Sequence, residues 1–394
     1  MQRVRERFSQ LAEDYNEDAV KIRRYLHQHP EISGNEKKTT NYILKQLMKN
    51  SIDTITEPFQ TGLVARVKGA GRGKNICIRV GIDALPVKET SEFPFAAKNE
   101  NACHCCGHDL QVAAAITCAR ILQETKDSWH GSVGFIFQPS VETGEGAKYM
   151  IAHQALEFLQ PDVMLGFHCW PEMKAGSVGV RPGPMMAAVD FIKIRIEGKS
   201  GPAAHPHQCV DPILIASYVV QQLQHIVSRE CSPTESAVIT IGKIVGGTSD
   251  NSVAAAVEME GSVHTLLEKD RIYMQKAICR IVQNTSAAMG GSGRVTVLKG
   301  VDPLLCDETI SAYVEEAAAC VAMGPIDQLQ KPSMEMEDFA YYLRDIPGAY
   351  FRVGTANELA SSKLPLHNPS ILFDERAISV ACKVLLQFTA LYST

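Results

Sequence analysis

The stretch DFIKIRIEGKSGPAAHPHQCVDPILIASYVVQQLQHIV (190–227) changes its hydrophobic period halfway along. Ile192, Ile194 and Ile196 alternate with Lys193 and Arg195, the period-2 pattern of a half-buried strand. Asp211 then stands as a helix N-cap with Pro212 at the first helical position. From there Leu214, Ile215, Tyr218, Val219, Leu223, Ile226 and Val227 recur at helical spacing. Downstream, residues 237–244 and 253–263 read as strands joined around Gly246-Gly247, 269–289 as a helix and 294–298 as a strand. Strand, helix, strand, strand, helix, strand is the split βαβ order of a ferredoxin-like α+β domain.

The sequence on either side has a different grammar. Short apolar runs at 75–82 (NICIRVGI), 132–137 (SVGFIF) and 162–167 (DVMLGF) read as buried strands, and 18–28, 36–50, 109–125 and 145–153 as helices. Such alternation implies an α/β domain with a mixed, largely parallel sheet. The pattern resumes after Val301, with helices over 307–323 and 375–392 and a strand over 349–354. The expectation is a discontinuous α/β domain (1–186 and 300–394) interrupted by the ferredoxin-like one (187–299). The glycines of GAGRG (69–73) read as a hairpin turn, since a phosphate-binding loop needs a following helix.

Composition narrows the function. The 394 residues allow two or three domains at about 100–200 residues each. Hydrophobic residues are 45% and charged residues 21%, the proportions of a globular chain. No apolar run approaches the about 18 residues of a membrane span, so no membrane role is expected. The N-terminal MQRVRERFSQLAEDYNEDA is charged and helical in character, without an apolar signal core. A net charge of −5 without a basic run gives nucleic acid no electrostatic footing. The 12 cysteines read as reduced thiols of a cytoplasmic protein. Cys118, Cys279, Cys320 and Cys382 sit alone in apolar surroundings, as small hydrophobes do.

Cys103, Cys105 and Cys106 instead crowd into CHCCGHD with His104 and His108. Redox, metal and structural roles all remain open for that cluster. A cysteine nucleophile is among them, because Cys106 precedes a helix start that would stabilise a thiolate. A serine triad has little support without GxSxG. Other reactive residues follow the strand-like runs: Asp83 after 75–82, Glu142 shortly after 132–137, and His168 after 162–167. Open α/β sheets bind ligands beyond the carboxyl ends of their strands. With His367 of PLHNP, the set Cys106, His108, Glu142, His168 and His367 offers thiolate, imidazole and carboxylate donors suited to zinc or a similar divalent ion.

These residues sit within motifs that carry a resemblance. RRYLHQHPEISG (23–34), IDALPVKE (82–89), CHCCGHD (103–109), QPSVETGEGAK (138–148), GFHCWP (166–171), GKSGPAAHPHQCVDPI (198–213), GGTSDN (246–251), EDFAYYLRDIPGAYFRVGT (337–355) and LHNPSILFDE (366–375) occur in order. Together they resemble the aminoacylase/carboxypeptidase metallopeptidase superfamily, in its amidohydrolase branch of indole-acetyl-amino-acid hydrolases, hippurate hydrolases and N-acetyl-diaminopimelate deacetylases. The resemblance implies a metal-binding α/β domain with an inserted lid that also makes a homodimer. It implies two divalent ions, zinc, manganese, cobalt or nickel, on Cys106, His108, Glu142, His168 and His367. The expected partner is a small amide such as an N-acyl amino acid, hydrolysed through a metal-polarised carbonyl and a metal-bound water.

The chain also departs from that family. The first Glu of QPxEE, the general base, is Val141, and positioned bases contribute about 10²–10⁴-fold. The lid histidine of GGHAA, an oxyanion donor, is Pro202; losing such a donor costs about 10²–10³-fold in kcat. The GTxR arginine is His264, and the first Asp of DxDALP is Gly81. Asp83 and Asn251 remain. Two residues new to their motifs are candidates to compensate: Glu145 for the base, and His205 for the histidine. Asp83 and Glu145 are therefore the catalytic candidates, and Asn251, His205, His207 and His264 the substrate-binding ones. The same departures leave two other readings beside hydrolysis: a metal-dependent enzyme of non-hydrolytic reaction type, or a silent ligand-binding homologue.

Overall fold

Val, Ile and Phe dominate the strands at the centre of the first structural unit, and their burial explains why these runs do not alternate. In Asn75–Gly81 and Ser132–Gln138 nearly every side chain is buried, as in a sheet covered on both faces. The structure, a computed structural model, describes residues 2–56, 59–321 and 326–393. The chain divides into two compact units: Met1–Gly183 with Leu305–Lys331 and Tyr341–Thr394, and Pro184–Leu304 with Pro332–Ala340.

The first unit is built on an eight-stranded mixed sheet. At its centre Ser132–Gln138, Asn75–Gly81, Val163–Lys174 and Gly348–Ala356 lie side by side and parallel. Thr54–Ile55 and Leu63–Lys68 continue one edge antiparallel. Val178–Val180 and Ile326–Gln328 continue the other. Helix His108–Glu124 is buried on almost every side, the pattern of a core helix. Small residues such as Ala113, Ala114, Ala115 and Ala119 let Arg376–Tyr392 and Asn16–Gln28 pack close against it.

Three expectations change here. GAGRG is not a hairpin turn: Leu63–Lys68 and Asn75–Gly81 are not neighbours, because Ser132–Gln138 lies between them, antiparallel to one and parallel to the other. The glycine loop bonds instead to the turn before that strand, Gly69 N donating to Gly131 O (2.9 Å) and Gly131 N to Gly71 O (3.0 Å). The helix expected over 307–323 is Glu308–Ala319; the last residues of that reading, Ala322 and Met323, lie outside the described residues. Cys320 is exposed and meets the Arg5 guanidinium, so it is no core hydrophobe, whereas Cys118 and Cys382 are buried.

The second unit is a four-stranded antiparallel sheet in the order Ala237–Gly246, Ala256–Thr265, Ala188–Glu197, Ser292–Lys299. Two helices, Pro212–His225 and Glu268–Ala288, complete the ferredoxin-like order. Asp211 caps as its sequence implies, Oδ1 accepting from Ile213 N (2.9 Å) and Leu214 N (3.3 Å). The apolar stripe of Pro212–His225 splits, however. Ile215, Val219 and Leu223 face the core, while Leu214 and Tyr218 join Ile213 on the exposed side. Beneath the sheet, Arg271 pairs with the buried Asp190 and with Asp302 (2.8 Å).

Candidate metal centre

The site forms where the parallel strands of the first unit end. Asp83 follows Asn75–Gly81, Val141 and Glu142 follow Ser132–Gln138, and His168 lies within Val163–Lys174. Helix His108–Glu124 starts at the same level, after Gly107 in a left-handed conformation (φ 85°). Gly107 is required twice over: L residues rarely adopt that φ, and a Cβ there would come within 3.0 Å of Cys169 Cβ. Cys106 and His108 flank it. His367 arrives from a late loop, its N–H donating to Cys105 O (2.9 Å).

The structure brings all five ligand candidates together. Cys106 Sγ lies 3.2 Å from His168 Nε2 and 3.5 Å from His367 Nε2. His108 Nε2 is 3.9 Å from Glu142 Oε1, and His367 Nε2 is 3.6 Å from Glu142 Oε2. Two groups of three donors result, Cys106–His108–His168 and Cys106–Glu142–His367, with Cys106 common to both. Cys106, His108 and His168 are buried; His367 is exposed.

Around the donors, the second nitrogens of two of the three rings are already engaged. His108 Nδ1 contacts Asp83 O (2.9 Å) and Asp83 Oδ1 (3.2 Å), and His168 Nδ1 contacts Cys169 O (2.7 Å). Such contacts fix a ring's orientation and leave Nε2 to bind. Asp83 Oδ2 also accepts from Glu142 N (3.0 Å) and Ser33 Oγ (2.7 Å), so one carboxylate orients two ligand candidates. His108 Nε2 and Glu142 Oε1 are buried with no hydrogen-bond partner. A buried polar atom without a partner costs about 1–3 kcal/mol, more if charged. Facing each other, these two are what a bound cation would satisfy.

Without an ion, the electrostatics favour the protonated donors. Burial pushes the Cys106 thiol well above its ordinary value, and the neighbouring Glu142 carboxylate adds to it. Burial alone would hold the His108 imidazole down, but the hydrogen bond and charge of Asp83 prevail and raise it to about 9. A divalent ion inverts such local preferences and binds the thiolate and the neutral imidazole. The donor set, one thiolate, three imidazoles and a carboxylate, fits zinc or a similar divalent ion.

The remaining candidates are placed differently. Glu145 precedes the short helix Gly146–Ala152, is exposed, and pairs with Lys148 (3.2 Å); it is not among the converging donors. In the second unit His205 and His207 are exposed beside each other, their rings 6.0 Å apart. Asn251 O accepts from Ala203 N (3.0 Å), which ties the GGTSDN turn to the SGPAA turn. His264 is half-buried, Nδ1 contacting Met334 O (2.8 Å) and Nε2 contacting Ser262 Oγ (3.1 Å).

Two supports escape a reading of the sequence. Glu36 is fully buried, and its Oε1 accepts from Ser140 N (2.9 Å) and Gly34 N (3.0 Å), clamping the turn that carries Glu142. Asp109 forms an ion pair with Arg23 (2.8 Å) and contacts His27 Nδ1 (2.8 Å), anchoring the first turn of the helix that carries His108. Both acids look in sequence like ordinary helix-start residues, although Asp109 ends CHCCGHD and its partners Arg23 and His27 lie in RRYLHQHPEISG.

Known proteins resemble this chain over most of its length. The family profile of "Peptidase family M20/M25/M40" matches residues 77–390. The N-acetyl-L-cysteine deacetylase of Bacillus subtilis is 38% identical over 368 residues, 93% of this chain and 86% of that one. The N-acetyldiaminopimelate deacetylase of the same organism is 33% identical, over 96% and 99% of the two chains. Among solved structures, the Bacillus subtilis YXEP protein, described as a dinuclear metal binding peptidase from the M20 family, superposes with a TM-score of 0.85 at 31% identity, covering 96% and 98%. These relatives are named as deacetylases, which lends nothing to a non-hydrolytic or silent reading. The chain is therefore a hydrolase-type enzyme and belongs to the peptidase family M20/M25/M40.

Proposed function

We propose that this enzyme hydrolyses the amide bond of a small N-acyl amino acid, with two divalent ions held by Cys106, His108, Glu142, His168 and His367. The observation that carries the reading is the pair of donor groups sharing Cys106, each with one buried polar atom, His108 Nε2 or Glu142 Oε1, that has no hydrogen-bond partner. When bound, divalent ions polarise the scissile carbonyl and bring the pKa of water down to about 7. The chain's own part is orientation. Asp83 holds the His108 ring and the Glu142 backbone at once, so both donors keep their places as substrate enters. Val141 accepts no proton, and Glu145 is paired with Lys148, so the about 10²–10⁴-fold of a positioned base is withheld and turnover is expected to be low.

Zinc, manganese, cobalt and nickel all suit this donor set. Asn251, His205, His207 and His264 are our candidates for the substrate side, as residues 187–299 are for a lid and dimerisation domain. A homodimer is supported by the free edge of Ala237–Gly246, where Ile244 and Val245 are exposed, and by the exposed Ile213, Leu214 and Tyr218. A cytoplasmic location is supported by twelve unpaired cysteines. Among the described residues no helix is long and apolar enough to cross a membrane.

The test is elemental analysis of the purified protein together with release of amino acid from N-acetyl amino acids, N-acetylcysteine and N-acetyldiaminopimelate included. Bound divalent metal and product formation that disappears in His108→Ala are expected. Absence of bound metal, or turnover untouched by His108→Ala, would end the proposal.

A further inference from the structure

Two of the departures from the family pattern, Gly81 and Val141, lie sixty residues apart in sequence and touch in the structure. Gly81 ends strand Asn75–Gly81, opposite Gln138 of the parallel neighbour, and Val141 follows that neighbour three residues on. A Cβ added to Gly81 would stand 3.0 Å from Val141 Cγ2 and 3.0 and 3.1 Å from Cδ2 and Cε1 of His108. Gly81 is not among the residues of positive φ, so its backbone does not call for glycine; crowding does. Gln111 Oε1 accepts the Gly81 N–H (3.1 Å) and Ile82 N donates to Gln138 O (3.0 Å), so the strand end is pinned on both sides. Valine is β-branched and stiff at χ1, so its methyl group does not swing aside freely.

The His108 ring thus meets Asp83 at Nδ1, and its Cδ2 and Cε1 face the space over Gly81 that Val141 Cγ2 also lines. We propose that Gly81 and Val141 are one fitted wall that positions the His108 imidazole, and that position 141 in this chain has exchanged proton transfer for packing. The inference rests on His108 being a metal ligand, as argued above. It makes Val141 a positioning residue, and it makes the two departures a single coupled change.

A double-mutant cycle tests this: wild type, Gly81→Ala, Val141→Ala and the double variant. Zn²⁺ affinity is measured by chelator competition, and thermal unfolding is followed without metal. Loss of a ligand's orientation typically costs about 10–100-fold in metal affinity, and that is the expectation for Gly81→Ala. Trimming Val141 gives the new Cβ room on one side, so the double variant should recover affinity by about threefold or more over Gly81→Ala. Gly81→Ala binding Zn²⁺ as wild type does, or two effects that simply multiply, would overturn the wall. If Gly81→Ala does not fold, folding restored in the double variant supports the proposal and its failure refutes it. If wild type binds no Zn²⁺, the functional reading has failed instead, and non-additive unfolding temperatures in the metal-free proteins still decide whether the wall exists.

Discussion

The strand-end crevice of the first unit and the turns of the second carry the same kinds of side chain in opposite states. At Cys106, His108, Glu142 and His168 the polar groups are buried or nearly so, crowded within 3–4 Å, and two of their atoms have no hydrogen-bond partner. At His205, His207 and Asn251 they are exposed to water, and the bonds there run within and between surface turns. Burial of a polar atom without a partner costs free energy that a fold does not keep without cause. An exposed imidazole costs nothing by itself and points to a ligand only where other donors meet it, as Cys106 and Glu142 meet His367. The difference explains why the first region can be read from a single chain, while the second is read only by way of the resemblance.

The comparison breaks most visibly at Cys106, the one donor common to both groups. Cys106→Ser is expected to lose bound metal from both, by more than the about 10–100-fold that follows from disturbing a residue that merely orients a ligand. Elemental analysis with circular dichroism checks it. Folded Cys106→Ser that keeps two ions would show that the crowding has another cause.

Much of the architecture is legible in the sequence because local patterning and burial agree there. Ile192, Ile194 and Ile196 alternate and are buried; Asp211 reads as a cap and is one; the five donor candidates named from their motifs converge. What stays hidden depends on distant parts of the chain. Nothing in GAGRG announces that Ser132–Gln138 will separate the strands on either side of it. The stripe on Pro212–His225 cannot show that Leu214 and Tyr218 face outward, since periodicity places residues on a face without naming what covers it. Gly81 and Val141 read as two separate losses, and only the parallel register makes them neighbours.

The second unit has a buried ionic centre at Asp190 and Arg271, which sharpens the contrast because its charges are paired internally. Asp190 accepts from the Arg271 guanidinium, from Gln275 Nε2 (2.7 Å) and from Gly300 N (3.1 Å). Burial would raise its pKa, but the Arg271 and Gln275 hydrogen bonds prevail and lower it. Asp190→Asn should destabilise the protein by about 3 kcal/mol, since it leaves Arg271 without its main partner. The sign of the pH dependence follows from the lowered pKa. The wild-type advantage is present above the ordinary aspartate value of about 3.9 and is lost as pH falls through the lower folded-state value. Denaturant titrations at pH 7 and below pH 4 measure it, and an unchanged difference at low pH would contradict the assignment.

The smallest expected effect falls on the exposed pair. His205→Ala and His207→Ala remove side chains that water already surrounds, so unfolding free energy should move by no more than about 0.5 kcal/mol. A change in KM or kcat at such constant stability would mean that these imidazoles meet substrate, which is the role proposed for them. If stability and kinetics are both unmoved, the SGPAA turn has lost its part in the reaction together with the histidine that Pro202 replaces. The work would then fall entirely to the buried cluster of the first unit, and the two regions would differ in function as they already do in burial.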